Sequence, residues 1–192
     1  MRYGIATWVV AAVLATSAPQ AGSTWTLDPR ASSITFTLKA TLHEVEGSFE
    51  LASGEIRFDP RTGAVLGRVV VDARSGDTAN GKRDKKMHES VLHSTEHPII
   101  EFVPTSFEGA LEPHGKSDLR LHGTLRLMGV EHAVEFPLEL HLEPGEARAR
   151  GSFSVPYVEW GLEDPSAFVL RVAKVVQVSF EVVGRVLADP EK

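Results

Sequence analysis

Leu119-Arg120-Leu121-His122-Gly123-Thr124-Leu125-Arg126-Leu127-Met128-Gly129-Val130-Glu131-His132-Ala133-Val134-Glu135-Phe136-Pro137-Leu138-Glu139-Leu140-His141-Leu142-Glu143 decides how this chain is read. Leu119, Leu121, Leu125 and Leu127 share one parity, while Arg120, His122, Thr124 and Arg126 hold the other. Beyond Met128-Gly129-Val130 the rhythm resumes, with Val134, Phe136, Leu138, Leu140 and Leu142 set against Glu135, Glu139, His141 and Glu143. Only a β-strand, with its period of two, sends such sets to opposite faces. The stretch therefore predicts two long strands joined by one tight turn.

The same alternation spreads outward along the chain. Trp25 to Leu27 is a short extended lead-in, ended by the turn signal Asp28-Pro29. Ile34 to Leu42 reads as the first long strand. Val45 to Leu51 with Gly54 to Phe58 reads as the second, Gly54 allowing a bend or bulge. Asp59-Pro60-Arg61-Thr62-Gly63 is a turn, and Val65 to Ala73 is the third strand. One short helix is expected over Lys82 to Leu92, between strands three and four, capped by Asn80 or Asp77 and stopped by Pro98. Ile99 to Thr105 is the fourth strand, the hairpin supplies two more, and Ala147 to Val155 follows the Pro144-Gly145 turn. Tyr157 to Phe168 reads as irregular, and Lys174 to Leu187 as the last strand. With no long helix to cover it, an apolar sheet face must close on itself or pack on a second sheet. The fold class is all-β, and an eight-stranded antiparallel up-and-down barrel is the simplest closure. A two-sheet sandwich fits the same strands.

A chain of 192 residues suits one domain with a substantial core. Residues 1–22 combine Met1-Arg2, an apolar stretch from Ile5 to Leu14 and the small residues Ala15, Ser17, Ala18, Ala21 and Gly22. That is the layout of a secretory signal, too short for an ordinary membrane span. The expectation is a signal over 1–22 and one domain over 23–192, periplasmic or secreted, with no stable membrane anchor after cleavage. There is no cysteine, which removes disulfides, thiol chemistry and cysteine metal sites. Formal net charge is -6. This balance opposes nucleic-acid binding, which needs a basic surface, and electrostatic docking on anionic lipid.

Catalytic signatures are missing. No Gly-x-Ser-x-Gly elbow, phosphate-cradling loop or dinucleotide fingerprint occurs. His88-Glu89 begins like a zinc-protease helix, but Leu92 stands where the second histidine is required. His93 and His97 read as exposed groups near a barrel mouth. Glu135, Glu139 and Glu143 form a stripe opposite the apolar face, which reads as a solvated outer wall rather than a carboxylate pair across a cleft. Tyr157 and Trp160 either line one end of the barrel or pack a loop. Neither an enzyme nor a metal site is expected.

Several segments together resemble the YceI-like family of polyisoprenoid-binding, lipocalin-like periplasmic proteins. They are Trp25-Thr26-Leu27-Asp28, Ser32-Ser33-Ile34-Thr35-Phe36, Gly47-Ser48-Phe49 and Gly54-Glu55-Ile56-Arg57-Phe58-Asp59-Pro60. Asp77-Thr78-Ala79-Asn80-Gly81-Lys82-Arg83-Asp84, His97-Pro98-Ile99-Ile100-Glu101-Phe102 and Gly123-Thr124-Leu125-Arg126-Leu127-Met128-Gly129-Val130 complete the set. Ala31 stands where that family usually has a histidine. The resemblance implies a lipocalin-like barrel that holds an isoprenoid chain, polyprenyl or quinone-like, in an elongated apolar tunnel.

On that basis the tunnel residues are Phe36, Leu38, Phe58, Val69, Val71, Phe102, Leu125, Leu127, Phe136, Leu138, Phe153 and Phe180. Small residues on the apolar parity, among them Gly67, Gly123, Ala149, Gly151 and Gly184, leave room for a guest; as bends or bulges they would fit a solidly packed barrel equally. Head-group candidates at the mouth are Lys82, Arg83 and His88, with Lys85 and Lys86 nearby; the same cations also read as a solvated helix face. The expected function is carriage or sequestration of an isoprenoid lipid without catalysis and without a further cofactor. A homodimer is compatible with it, because a twofold copy can cover an apolar mouth. The alternative is a non-catalytic envelope module built on a filled barrel.

Overall fold

The structure, a computed structural model, describes residues 23–41, 43–59, 62–166 and 171–188. The expected signal at 1–22, the strand position Leu42, the turn residues Pro60 and Arg61, and Phe168 lie outside the described residues.

Nine strands form one antiparallel sheet. They are β1 (Ser23–Leu27), β2 (Ser33–Lys39), β3 (Glu44–Phe58), β4 (Val65–Asp77), β5 (Ile99–Glu108), β6 (Gly115–Leu127), β7 (Val130–Glu143), β8 (Glu146–Val155) and β9 (Val176–Ala188). Each of β2 to β9 pairs with its neighbour in sequence, and β9 pairs back with β2, so eight positions around the ring close into a barrel. Closure leaves no unpaired edge. It excludes the sandwich.

The ninth strand does not widen the ring. β1 and β2 both run antiparallel to β3 and to β9: Trp25 faces Ile56 and Val186, while Phe36 faces Gly47 and Val178. The two are halves of one stave, interrupted at Asp28–Ser32. The interruption stays attached to β9. Asp28 N donates to Val183 O at 2.8 Å, and Val183 N donates to Ser32 Oγ at 3.1 Å.

Counting β1 as a strand corrects the helix placement. The helix lies between β4 and β5, not between the third and fourth strands. The lead-in was too short to display a period, yet it hydrogen-bonds on both sides. α1 (Gly81–Lys86) continues directly into a π-helical turn, Met87–Val91. Of the two expected caps, Asn80 is the one used: its side chain accepts from Arg83 N at 3.2 Å.

The β6–β7 hairpin turns on Met128-Gly129 with φ of 50° and 78°. Two successive positive φ values define the type I′ turn, whose twist matches the flanking strands and which Gly129 adopts without strain. His122 and His141 are not cross-strand neighbours: His122 faces Glu135 and His141 faces Lys116, all on the outer wall. The acidic stripe is paired there. Lys116 contacts Glu139 at 2.8 Å, Arg120 contacts Glu135 at 3.3 Å, and His141 contacts Glu143 at 2.8 Å.

Two apolar clusters hold the inside. One, near the end opposite α1, includes Trp25, Leu27, Ile56, Val65 and Leu142. The other, beneath α1, includes Leu92, Tyr157 and Leu162 with Leu125 and Leu127. Gly184 is where β9 meets β1 most tightly, since a Cβ there would stand 2.1 Å from Thr26 O. Gly184→Ala is therefore expected to pry β1 from the barrel and cost about 2 kcal/mol or more. A guanidinium melt measures the loss, and faster amide exchange at Trp25 and Leu27 assigns it to β1.

Candidate functional site

The barrel encloses a cavity of about 660 Å³ whose wall is almost entirely apolar. This is within the usual size range of ligand pockets. It extends from Lys82 and Pro165 at the α1 end to Phe58, Val65 and Leu111 at the other. All twelve expected tunnel residues stand on its wall: Phe36, Leu38, Phe58, Val69, Val71, Phe102, Leu125, Leu127, Phe136, Leu138, Phe153 and Phe180.

The lumen survives because its largest side chains occupy space that glycines vacate. Phe36 faces Gly47 across β2 and β3, and a Cβ on that glycine would stand 2.4 Å from the ring. Phe180 covers Gly151 in the same way at 2.6 Å, Phe102 covers Gly123 at 2.5 Å, and Phe49 covers Gly76 at 2.6 Å. Each ring rests against the wall of the neighbouring strand. The rings also brace one another: Phe136 has Phe153 at 4.9 Å, Phe102 at 5.5 Å and Phe180 edge-on at 5.6 Å. Gly123 and Gly151 thus make room for neighbouring rings. Gly67 and Gly184 serve a different purpose, because a Cβ on either would meet backbone at 2.0 Å and 2.1 Å.

The mouth is framed by α1, by His43 of the β2–β3 connection and by the β8–β9 connection, where Pro165 and Val172 line the opening. Thr78, only 7% exposed, organises the helix side. Arg83 Nε donates to Thr78 Oγ1 at 2.7 Å and Arg83 Nη2 donates to Thr78 O at 2.8 Å. Thr78 N and Oγ1 both donate to Asp84 Oδ1. Burial opposes ionisation of Asp84, but these bonds, the Asn80 N–H and the Arg83 charge together hold its carboxyl below the usual carboxylate range. Lys86 Nζ reaches across to donate to Pro165 O at 2.8 Å.

The three head-group candidates separate here. Lys82 and Arg83 line the cavity, as does Lys86. His88 does not line it, and both its ring nitrogens are engaged. Gly76 O can only accept, so Nε2–H donates to it at 2.8 Å, while Nδ1 lies 2.9 Å from Ser94 Oγ. His88 ties the helical segment to β4.

Tyr157 lines the cavity and Trp160 stacks on His132 with ring centroids 4.0 Å apart. Leu111, on the loop after β5, reaches the lumen although no periodicity marks it. Phe49 was also missed as a wall residue; its signal would have been the glycine it covers, which needs the register to be known.

A family model for the YceI-like domain matches residues 25–184. The chain belongs to the YceI-like family. No curated protein sequence matches it. Solved structures share the fold at low identity. Burkholderia cenocepacia BcnA aligns at 19% identity and a TM-score of 0.70, covering 82% of this chain and 99% of that one. A polyisoprenoid binding domain from Saccharophagus degradans, implicated in plant cell wall breakdown, aligns at 15% identity and 0.66, covering 86% and 98%. The Campylobacter jejuni YCEI protein aligns at 16% and 0.61, covering 76% and 86%.

Two outcomes follow from this YceI-like lumen. Gly123→Ala and Gly151→Ala should drive the Phe102 and Phe180 rings inward, weakening uptake of a fluorescent apolar probe about tenfold. Equal uptake by these variants and the unaltered protein would show that the glycines do not set the calibre. Tyr157 should ionise late, since burial and the Asp164 charge push it up to about 12. Because its folded value is raised above its ordinary 10.0, the stability it contributes is whole below pH 10 and lost as pH rises toward 12. Ultraviolet titration of a chain starting at Ser23 reads this cleanly, because Tyr157 is the one tyrosine after residue 22.

Proposed function

We propose that this chain is an exported isoprenoid-lipid-binding protein that carries or sequesters its ligand without catalysis. One observation carries the reading: a closed barrel keeps a continuous apolar lumen of about 660 Å³ instead of filling it. Membership of the YceI-like family and the fold shared with a polyisoprenoid binding domain support a lipid as the guest.

Binding on this reading is physical. Each ~100 Å² of ligand surface withdrawn from water contributes about 2.5 kcal/mol, against which the ordering of a flexible chain must be set. The twelve wall residues hold the tail. The head group stays at the mouth beside Lys82 and Arg83, where water and polar partners remain within reach. His88 is given no ligand role, because its nitrogens are already used. On this reading the segment 1–22 is removed on export, and the working protein acts in the periplasm or outside the cell. A filled-barrel envelope module is the second reading, and the open lumen weighs against it.

Mass spectrometry of organic extracts from natively purified protein tests the proposal. The expected result is a prenyl lipid at near-stoichiometric yield. An empty extract, together with no uptake of added polyprenol or quinone, would overturn it.

A further inference from the structure

Strands build the side wall of the lumen, but at the end remote from α1 a loop reaches in as well. Three connections lie there: residues 59–64 between β3 and β4, 109–114 between β5 and β6, and 144–145 between β7 and β8. Among the described residues, Leu111 is the one cavity residue that any of the three supplies. We infer that Leu111 is the stop on which the free end of a bound tail comes to rest, and that it sets the longest tail the lumen holds whole. The inference rests on the lipid-binding reading above and adds to it a limit on chain length.

Leu111 is a single apolar finger on an exposed span. Ala110, Glu112, Pro113 and His114 around it are exposed, whereas Leu111 is half-buried and packs against the cluster that includes Trp25 and Leu142. Gly109 and Gly115 bound the span with φ of 114° and 84°, positive angles that glycine adopts without strain. The chain leaves β5, dips one side chain into the barrel and returns along β6.

The depth of the finger is fixed from β6. Ser117 shares the inward parity of Leu119, Leu121 and Leu125 and is only 3% exposed, yet it is polar. A hydroxyl in such an oily row is unfavourable unless it is bonded. Glu112 N donates to Ser117 Oγ at 2.9 Å, and among the described residues this is the one hydrogen bond that residues 110–114 make. It grips the chain at the residue next to Leu111. Ser117 is therefore a positioning residue, and the stop explains why a serine stands in that row.

Length is decided where the bore ends, because the side wall has little room to give. Its rings rest on glycines and on one another, which fixes the calibre. Every lysine and arginine on the cavity wall lies in α1, and among the described residues no carboxylate lines it. The remote end is thus free of charge and suits a hydrocarbon terminus. A tail that outgrows the bore must displace Leu111 or leave part of itself in water, and the part left in water gains nothing from burial.

The test is a series of prenyl alcohols that differ only in the number of units, each competed against the fluorescent apolar probe. With the unaltered protein, affinity should rise about tenfold per added unit up to a limit and stop rising beyond it. Leu111→Ala should move that limit to a tail about one unit longer, and Leu111→Phe to one about a unit shorter. Ser117→Ala should also lengthen the accepted tail, because it frees the span that carries Leu111. Tails well inside the limit should bind all four proteins within about twofold, which separates a stop from a general loss of packing. Should Leu111→Ala lose even the short tails, Leu111→Phe decides by the same reading. A limit that stays in place in the Leu111 variants, the lack of any limit, or an equal loss for short and long tails would overturn the stop while leaving the lipid reading intact. Failure of every tail to bind the unaltered protein would overturn that reading itself.

Discussion

The contact between a phenylalanine ring and a glycine on the adjacent strand is what the rest of this molecule depends on. A barrel interior in water gains dispersion energy by filling itself, and protein interiors normally pack to crystal density. A lumen persists only if the large lining residues find partners along the wall instead of across the axis. Phe36 over Gly47, Phe102 over Gly123 and Phe180 over Gly151 supply those partners. The ring cluster centred on Phe136 links two of them, Phe102 and Phe180, together with Phe153. Burial of the aromatic surface thus stabilises the hollow form.

The alternating residues of the sequence told most of the architecture, and where alternation lapsed the reading stopped short. β4 was expected to end at Ala73 and runs to Asp77. Arg74, Ser75 and Gly76 break the period because β4 bulges there: between Ser48 and Glu50 the partner on β4 jumps from Asp77 to Asp72. Ser75 Oγ fills the gap, accepting from Glu50 N at 2.7 Å and donating to Asp72 O at 2.6 Å. In β3 the irregularities sit beside Phe49 and Ala52, not at Gly54, which pairs normally with Val69. The wall of the site was legible because parity alone selects it. Its glycines were ambiguous because their purpose depends on register, which only pairing reveals. His88 was misleading for a related reason. An imidazole in a polar stretch looks available until its two partners, Gly76 and Ser94, are placed beside it.

Lumen and mouth divide the work by the range of their forces. Hydrophobic contact is nondirectional and tolerant of chain length, so the wall selects a class of molecule. Charge-assisted hydrogen bonds are short and oriented, so on the proposed function the rim is the part suited to select a head group. The outer wall takes no part in either. Its paired charges, such as Lys116 with Glu139 and Arg120 with Glu135, are exposed and each is worth little to stability. They keep the outside soluble and leave the barrel's cohesion to its lining and its closed ring of backbone hydrogen bonds.

The divided stave made of β1 and β2 also sets an order of events. Both halves need β9 on one side, and β9 is the last of the nine strands to leave the ribosome. Until residues 176–188 arrive, the earliest part of the domain has a partner only on β3. The ring therefore cannot shut on a partial chain. A nascent copy presents an open trough, and an enclosed chamber first exists once the final strand has arrived.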